Sequence, residues 1–215
     1  SILMTTGSGV TVTRAAGQVT MLPDGDLVMQ RNTAISATGV GADVDLQARS
    51  QVVVSGRVLA DDQVRVTGGT DAATRIGVLI DTLVLDGNGA YVSGGILDTH
   101  EGGSVTIRAA DGITIAAIIG QQVAQATPTR ATVHHVTIES TSGDVNLLRN
   151  IEVQESVSLI GGNINLTAGS HIFAFGADAS IHMQARVKLT LSSAGKSYSV
   201  TGWKVGWASG PVELV

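Results

Sequence analysis

One short phrase recurs along this chain: an aliphatic residue, a polar residue, a second aliphatic residue, then a turn. Between Ser142 and Ala174 it occurs as Val145-Asn146-Leu147, Ile151-Glu152-Val153, Val157-Ser158-Leu159 and Ile164-Asn165-Leu166. Period-two alternation places the two aliphatic side chains on one face of a strand and the middle one on the other. Comparable triplets begin near Val10, Val19, Leu27, Ile35, Val44, Val52, Val64, Leu83, Val105, Ile113, Val136, Ile172, Ile181, Val187 and Tyr198. Helical periodicity is scarce. Its best candidate, Gly77 to Gly87, has a Val/Ile/Leu content that suits a buried strand equally well.

Strands this short do not form a stable hairpin sheet by themselves. Taking every third triplet, as in Val136 to Val157, Val145 to Ile164 and Ile151 to Ile172, gives a repeat of roughly 20 residues, a period typical of stacked repeat architectures. The spacing predicts an all-β chain folded as a parallel β-helix, a solenoid of roughly 20-residue, three-strand coils in which each coil buries the next. The pairs Gly68-Gly69, Gly94-Gly95, Gly102-Gly103 and Gly161-Gly162 are placed at the corners, where positive φ is cheap for glycine. A β-sandwich also shows short strands and regular turns. Its strands are usually longer, and its core normally carries a Trp or Tyr.

Composition fits this reading. Of 215 residues 43% are hydrophobic but only 3% aromatic, so the core must be built from Val, Ile, Leu and Ala. Twenty-seven glycines against three prolines indicate tight turns rather than a Pro-rich linker. The net charge is -5 and no Lys/Arg run is present, which argues against a nucleic-acid partner. Absent cysteines exclude a disulfide framework and Cys-ligated metal. No apolar run reaches the length of a membrane helix, and the opening "SILMTTGSGV" has no signal-peptide pattern. Residues 1–200 are expected to form the coiled segment, with an insertion at about 116–135 where the step from Ile113 to Val136 lengthens. Residues 201–215, with Trp203 and Trp207, are expected to be an end cap or the start of a further module.

The phrases "TSGDVNLLRNIEVQESVSLIGGNINLTAGSHI" and "EGGSVTIRAADGITI" resemble the repeats of the filamentous haemagglutinin family of large bacterial surface adhesins. The similarity is one of pattern and spans about Val44 to Leu191. It implies a right-handed coil and an extracellular, cell-surface, adhesive or matrix-building role. The family's Asn-Pro-Asn-Leu secretion motif is missing, so the resemblance implies shaft rather than export module.

Candidate chemistry is thin. Asp86 and Asn88 in "LDGNGAY", and Asp24 and Asp26 in "PDGD", read as turns, because a calcium loop needs six to eight oxygens and a closing bidentate carboxylate. His134 and His135 are adjacent, so in a regular strand they face opposite ways and cannot share a metal. His171 and His182 could approach each other across stacked coils, with no third ligand in sight. The best catalytic cluster is Asp61, Asp62 and Arg65 in "ADDQVRV", the basis of an alternative reading as a polysaccharide lyase-like enzyme. The plainer account of Asp61-Asp62 is turn chemistry before a strand. Asn165-Leu166-Thr167 matches a glycosylation sequon and reads as a coincidence of the strand phrase. Asn146, Asn163 and Asn165 could stack outward, and Thr11, Thr106, Thr114 and Thr137 could form a flat polar face that binds weakly over many contacts.

The sequence therefore leads to a non-catalytic adhesin shaft or surface filament with no cofactor and no metal. Its partners would be a host or neighbouring cell surface, carbohydrate, or other copies of itself. A self-assembling sheath or biofilm-matrix protein is the third reading.

Overall fold

The structure, a computed structural model, describes residues 1–81, 84–85, 91–100, 102–120, 133–167, 170–176, 178–192, 199–200, 205–206 and 212–214. All regular structure among them is strand. The largest sheet has fifteen strands. One limb contains β1 (Ile2–Met4), β4 (Leu27–Met29), β7 (Val52–Val54), β10 (Ile76–Ile80), β15 (Gly112–Ile115) and β18 (Val145–Leu147). It joins β20 (Ser156–Leu166), which leads into a second limb of β17 (Val133–Ser140), β14 (Gly103–Ala109), β9 (Gln63–Gly68), β6 (Asp43–Ala48) and β3 (Gln18–Met21). β22 (Ser180–Leu191) continues from β20 and pairs with β24 (Val205–Gly206) and β25 (Val212–Leu214). An eight-stranded sheet holds β2 (Gly9–Val12), β5 (Ala34–Ala37), β8 (Arg57–Ala60), β13 (Ile96–Thr99), β16 (Ile118–Ile119), β19 (Ile151–Val153), β21 (Ile172–Ala174) and β23 (Ser199–Val200). A small antiparallel pair, β11 (Val84–Leu85) with β12 (Tyr91–Ser93), stands apart from both.

These elements form where the aliphatic triplets predict strands. In β6, Val44, Leu46 and Ala48 are buried while Asp43, Asp45 and Gln47 are half-buried, and β9 and β14 follow the same alternation. Parallel pairing brings the inward residues into rows. One runs Met21, Leu46, Val66, Ile107, Ile138 and Leu159. Another runs Leu27, Val52, Val78, Ile113, Val145 and Ile164. The eight-stranded sheet adds Ile35, Val58, Leu97, Ile119, Ile151 and Ile172. All three rows meet in one aliphatic core that contains no aromatic residue among those described. Purely parallel sheets need burial on the inner face, and these rows supply it.

The expected right-handed parallel β-helix of roughly 20-residue, three-strand coils is corrected by this topology. Twelve strands lie on one continuous path that doubles back at β20, with both its ends, β1 and β3, drawn from the first 21 residues. The result is a nearly closed, barrel-like parallel sheet without helices among the described residues. The physical reason lies at Gly161-Gly162. That pair was expected at a corner between two strands, yet it lies inside the unbroken β20. Gly162 N donates to Gly143 O at 2.7 Å and Asn163 N to Asp144 Oδ1 at 2.8 Å, so the chain is held extended through the glycines and a register shift absorbs the irregularity. The period is also irregular. Val145↔Ile164, Leu27↔Val52 and Val64↔Val105 are neighbours on the sheet, although very different lengths of chain separate them. Connections between strands vary too much for a fixed coil.

Of the expected glycine corners, Gly94 and Gly102 do take positive φ, 109° and 93°. The chain around Gly77 to Gly87 is strand at Ile76–Ile80 and Val84–Leu85. Within the expected insertion, residues 121–132 lie outside the described residues, as do Trp203 and Trp207 of the tail and the Asp86-Asn88 turn. The described parts of the tail, β24 and β25, pair in parallel with β22.

One polar node pins the two limbs. Asp111 is 3% exposed. Its Oδ1 accepts from Gly112 N at 3.0 Å and its Oδ2 lies 3.1 Å from Arg75 Nε. Ser140 Oγ donates to the Asp111 carbonyl at 2.7 Å and accepts from Gly143 N at 2.9 Å. Arg186 Nη2 then donates to Ser140 O at 2.7 Å. Turns between strands leave backbone groups without ladder partners, and this network supplies them.

Candidate interaction face

The outer side of the second limb presents a row of polar residues in register: Thr20, Asp45, Arg65, Thr106, Thr137, Ser158 and His182. Alternation forces this. With valines and isoleucines facing inward at every second position, the intervening residues can only face outward. Charges along the face are paired with neighbours. Arg65 Nη1 lies 3.5 Å from Asp43 Oδ2, Arg108 Nε lies 3.2 Å from Glu139 Oε2, and Gln47 Nε2 donates to both oxygens of Asp45 at 3.1 and 2.9 Å. Exposed pairs of this kind add little stability. They leave a flat, mixed-charge, hydrogen-bonding wall.

The sequence-derived cluster is occupied by local structure. Asp61 Oδ2 accepts from Gly41 N at 2.7 Å, and its Oδ1 lies 3.3 Å from His100 Nδ1. Asp62 Oδ2 accepts from Gln63 Nε2 at 3.2 Å, and the Asp62 carbonyl accepts from Ser104 N at 2.8 Å. Arg65 is directed to Asp43 and to the side-chain oxygen of Gln63. The Asp61 carboxylate thus binds a turn amide and His100, and the Asp62 carboxylate a neighbouring side chain.

The strand is irregular at the adjacent histidines. His134 and His135 both reach Glu155: His134 Nδ1 lies 3.0 Å from Oε1 and His135 Nε2 lies 3.2 Å from Oε2. His135 Nδ1 is also 2.9 Å from Ser156 Oγ. The cause is a β-bulge. Gly103 pairs with Val133 and Ser104 with His135, so His134 is an extra residue and both imidazoles emerge on one side. A signal for it was present in "VHHV". Val133 and Val136 are both buried yet stand three apart, which unbroken alternation forbids. His171 and His182 are not brought together, since His171 leads into β21 of the eight-stranded sheet and His182 lies on β22 of the large one. Among the described residues no group of three or more His, Cys, Asp or Glu is arranged to hold a metal ion.

The outward asparagine stack forms in part. Asn165 Nδ2 donates to Asn146 Oδ1 at 2.8 Å, while Asn163 turns to Asp144 Oδ1 at 2.9 Å. Thr106 and Thr137 are direct neighbours, whereas Thr11 pairs with Ser36 and Thr114 with Asn146 on other rows.

A second outward strip, unforeseen from the sequence, lies on the eight-stranded sheet. His171, Phe173 and Phe175 alternate along β21 and its flanks. Their rings are stacked, with centroids 5.4 Å apart for His171–Phe173 and 5.9 Å for Phe173–Phe175. Glu152 on β19 sits opposite Phe173. Burial raises the Glu152 carboxyl above the ordinary glutamate range, against the opposing effects of a hydrogen bond from Asn150 and the nearby His171. The folded chain therefore holds this proton more tightly than the unfolded chain. Stability falls as pH rises from the ordinary glutamate value through the raised one. Glu152→Gln is expected to remove that loss, so the variant gains on the wild type at neutral pH and matches it in acid; urea unfolding across pH checks this.

No family model matches the chain, and no solved structure matches it. Short stretches are similar to aminotransferases. Kynurenine–oxoglutarate transaminase 3 of Mus musculus is 59% identical over 27 residues, covering 13% of this chain and 6% of that protein. The Rattus norvegicus counterpart is 63% identical over 27 residues, with the same 13% and 6% coverage. A probable N-succinyldiaminopimelate aminotransferase DapC of Mycobacterium tuberculosis is 59% identical over 27 residues, 13% of this chain and 7% of that protein. A stretch of that length is smaller than any domain and carries no aminotransferase fold or chemistry to the rest of the chain.

Proposed function

We propose that this chain is a structural and adhesive segment of a large extracellular bacterial repeat protein, an adhesin shaft or surface filament without catalytic activity. The observation that carries this reading is the in-register polar row from Thr20 to His182 on an aliphatic, parallel-stranded scaffold. A wall of repeated, locally satisfied polar groups gains affinity by many weak contacts rather than one deep site. The resemblance to filamentous haemagglutinin repeats supports the same conclusion. Its partners are then a host or neighbouring cell surface, carbohydrate, or further copies of the chain. Engagement of Asp61, Asp62 and Arg65 in turn and neighbour contacts favours scaffold over lyase.

Two measurements test the proposal. Beads coated with the chain are expected to adhere saturably to bacterial or epithelial surfaces, and failure to exceed uncoated beads would refute it. Polygalacturonate incubated with the protein and calcium is expected to yield no unsaturated product above background, with Asp61→Ala and Arg65→Ala indistinguishable from wild type. Product formation abolished by either substitution would establish the enzyme instead.

A further inference from the structure

The edges of both large sheets gather at one end of the molecule. The twelve-strand path ends at β1 and β3, and the eight-stranded sheet begins at β2, so all three edge strands come from residues 2–21. Among the described residues each has a strand partner on one side only. The core is open there too. Val10, Val12 and Met21 are only partly buried, whereas their ladder partners Ile35, Ala37 and Leu46 are fully buried. Complete packing thus begins one strand in from the edge.

The direction of each edge backbone follows from its ladder. Ile2 N donates to Asp26 O at 2.8 Å and Met4 O accepts from Gln30 N at 3.0 Å, so residues 2 and 4 face β4. The N–H and C=O of Leu3 then face the open side, because successive residues of a strand alternate in direction. In β2, Ser8 O accepts from Ala34 N at 3.2 Å and Val12 O from Thr38 N at 2.9 Å, which turns Thr11 to the open side. In β3, Gly17 O accepts from Asp43 N at 3.0 Å, which does the same for Gln18 and Thr20. Native edges are normally blunted by charge, proline or a bulge. These are not. The strands read Ile-Leu-Met, Gly-Val-Thr-Val and Gln-Val-Thr-Met, and each pairs with its neighbour without a register shift. Arg14, in the turn between β2 and β3, is the only charged side chain before Asp24, and the first proline is Pro23.

The opposite end shows what fits these edges. The ladder that starts at β1 runs through β20 and β22 to β25, the one from β3 runs through the same two strands to β24, and the one from β2 ends at β23. Pairing along all three is parallel. A second copy set end to end in the same orientation therefore brings β25 to β1, β24 to β3 and β23 to β2, each in the direction the ladders already use. We propose that the β1–β2–β3 end binds the β23–β24–β25 end of a second copy of this chain, joining copies into an open filament. This rests on the reading as a surface filament and names the partner and the face. Because the two ends differ, every addition leaves one of each free, and growth does not close.

Sedimentation velocity and electron microscopy of the full chain over a concentration series test this. Mass is expected to rise beyond the dimer with concentration, as unbranched rods one molecule wide. Thr11→Pro removes an N–H that the single chain does not use, at an edge position where proline is tolerated. It is expected to keep the wild-type urea transition. The concentration for half-assembly should rise about tenfold or more, because a carbonyl of the incoming strand is left without its donor. Leu3→Pro makes the same test on β1 should Thr11→Pro fail to fold. Leu148→Ser removes an exposed aliphatic side chain that follows β18, between the two ends, and is expected to assemble as the wild type does. A chain that stays monomeric, stops at dimers, or assembles as readily in a folded proline variant would overturn the proposal. Loss of assembly in Leu148→Ser would overturn it as well, by placing the contact on the side wall. Coated beads that adhere to cells while the chain stays monomeric in solution would sink this inference and leave the adhesive reading standing. Beads that do not adhere would sink that reading, whatever sedimentation shows.

Discussion

Ile138→Asp is expected to abolish the folded state: the purified variant shows no cooperative urea transition and loses the strand signal in far-ultraviolet circular dichroism. Ile138 is fully buried and sits between Ile107 and Leu159 in the inward row of the second limb. A carboxylate there has no partner, and desolvating an unpaired charge costs more than a domain's whole margin of stability. The milder series fixes the cause. Ile138→Ala is expected to cost about 2–5 kcal/mol through lost burial and a residual cavity, and Ile138→Val about 0.5–1.5 kcal/mol. Thr137 is the neighbouring outward residue, and Thr137→Asp is expected to fold normally. Equal tolerance at the two positions would refute the inward and outward assignment on which the fold rests.

The second large effect is expected at Asp111. Asp111→Ala removes one of the two acceptors of Gly112 N, which also donates to Arg75 O at 3.1 Å, and the partner of Arg75 in a buried turn. A charge-assisted hydrogen bond is lost while Gly112 N keeps the Arg75 carbonyl, a cost of about 1.5–3 kcal/mol. Asp111→Asn retains an acceptor oxygen for Gly112 and is expected to lose less. Arg75 is mostly exposed, with its side chain at 70%, so Arg75→Ala is expected to cost about 1 kcal/mol or less. Chemical denaturation of the three variants gives the ranking. A larger loss for Arg75→Ala than for Asp111→Ala would show that the ion pair, rather than the turn amide, holds the node.

Much of the strand content was legible because alternation is a local property. Val145-Asn146-Leu147 or Val157-Ser158-Leu159 can bury two side chains only as a strand. How the strands connect was less legible. Val64 pairs with Val105 although the triplet at Leu83 intervenes, since the chain between them is taken up by the turn at Asp71–Arg75, by β10, by the antiparallel pair and by β13. Loop length is thermodynamically cheap to vary, so spacing is a poor guide to pairing. Gly161-Gly162 misled for a related reason: glycine permits a corner but does not require one. The site readings diverged in the same way. Asp61 Oδ2 accepts from Gly41 N and Asp62 Oδ2 from Gln63 Nε2, contacts that a pair of adjacent carboxylates in a sequence does not distinguish from a catalytic cluster. Opposite facing of His134 and His135 requires an unbroken period, which the bulge interrupts.

Because the chain has no cysteine, paired substitutions report strand neighbours without background. Thr106 and Thr137 face outward on adjacent parallel strands and are in register. Neighbouring Cα positions of that kind fall within disulfide reach, whereas a diagonal partner two residues along lies beyond about 7 Å. Mild oxidation of Thr106→Cys/Thr137→Cys should give nearly complete intramolecular cross-linking by mass spectrometry, while Thr106→Cys/Glu139→Cys should remain reduced. Efficient cross-linking of the second pair and not the first would contradict the parallel register, and with it the continuous polar wall.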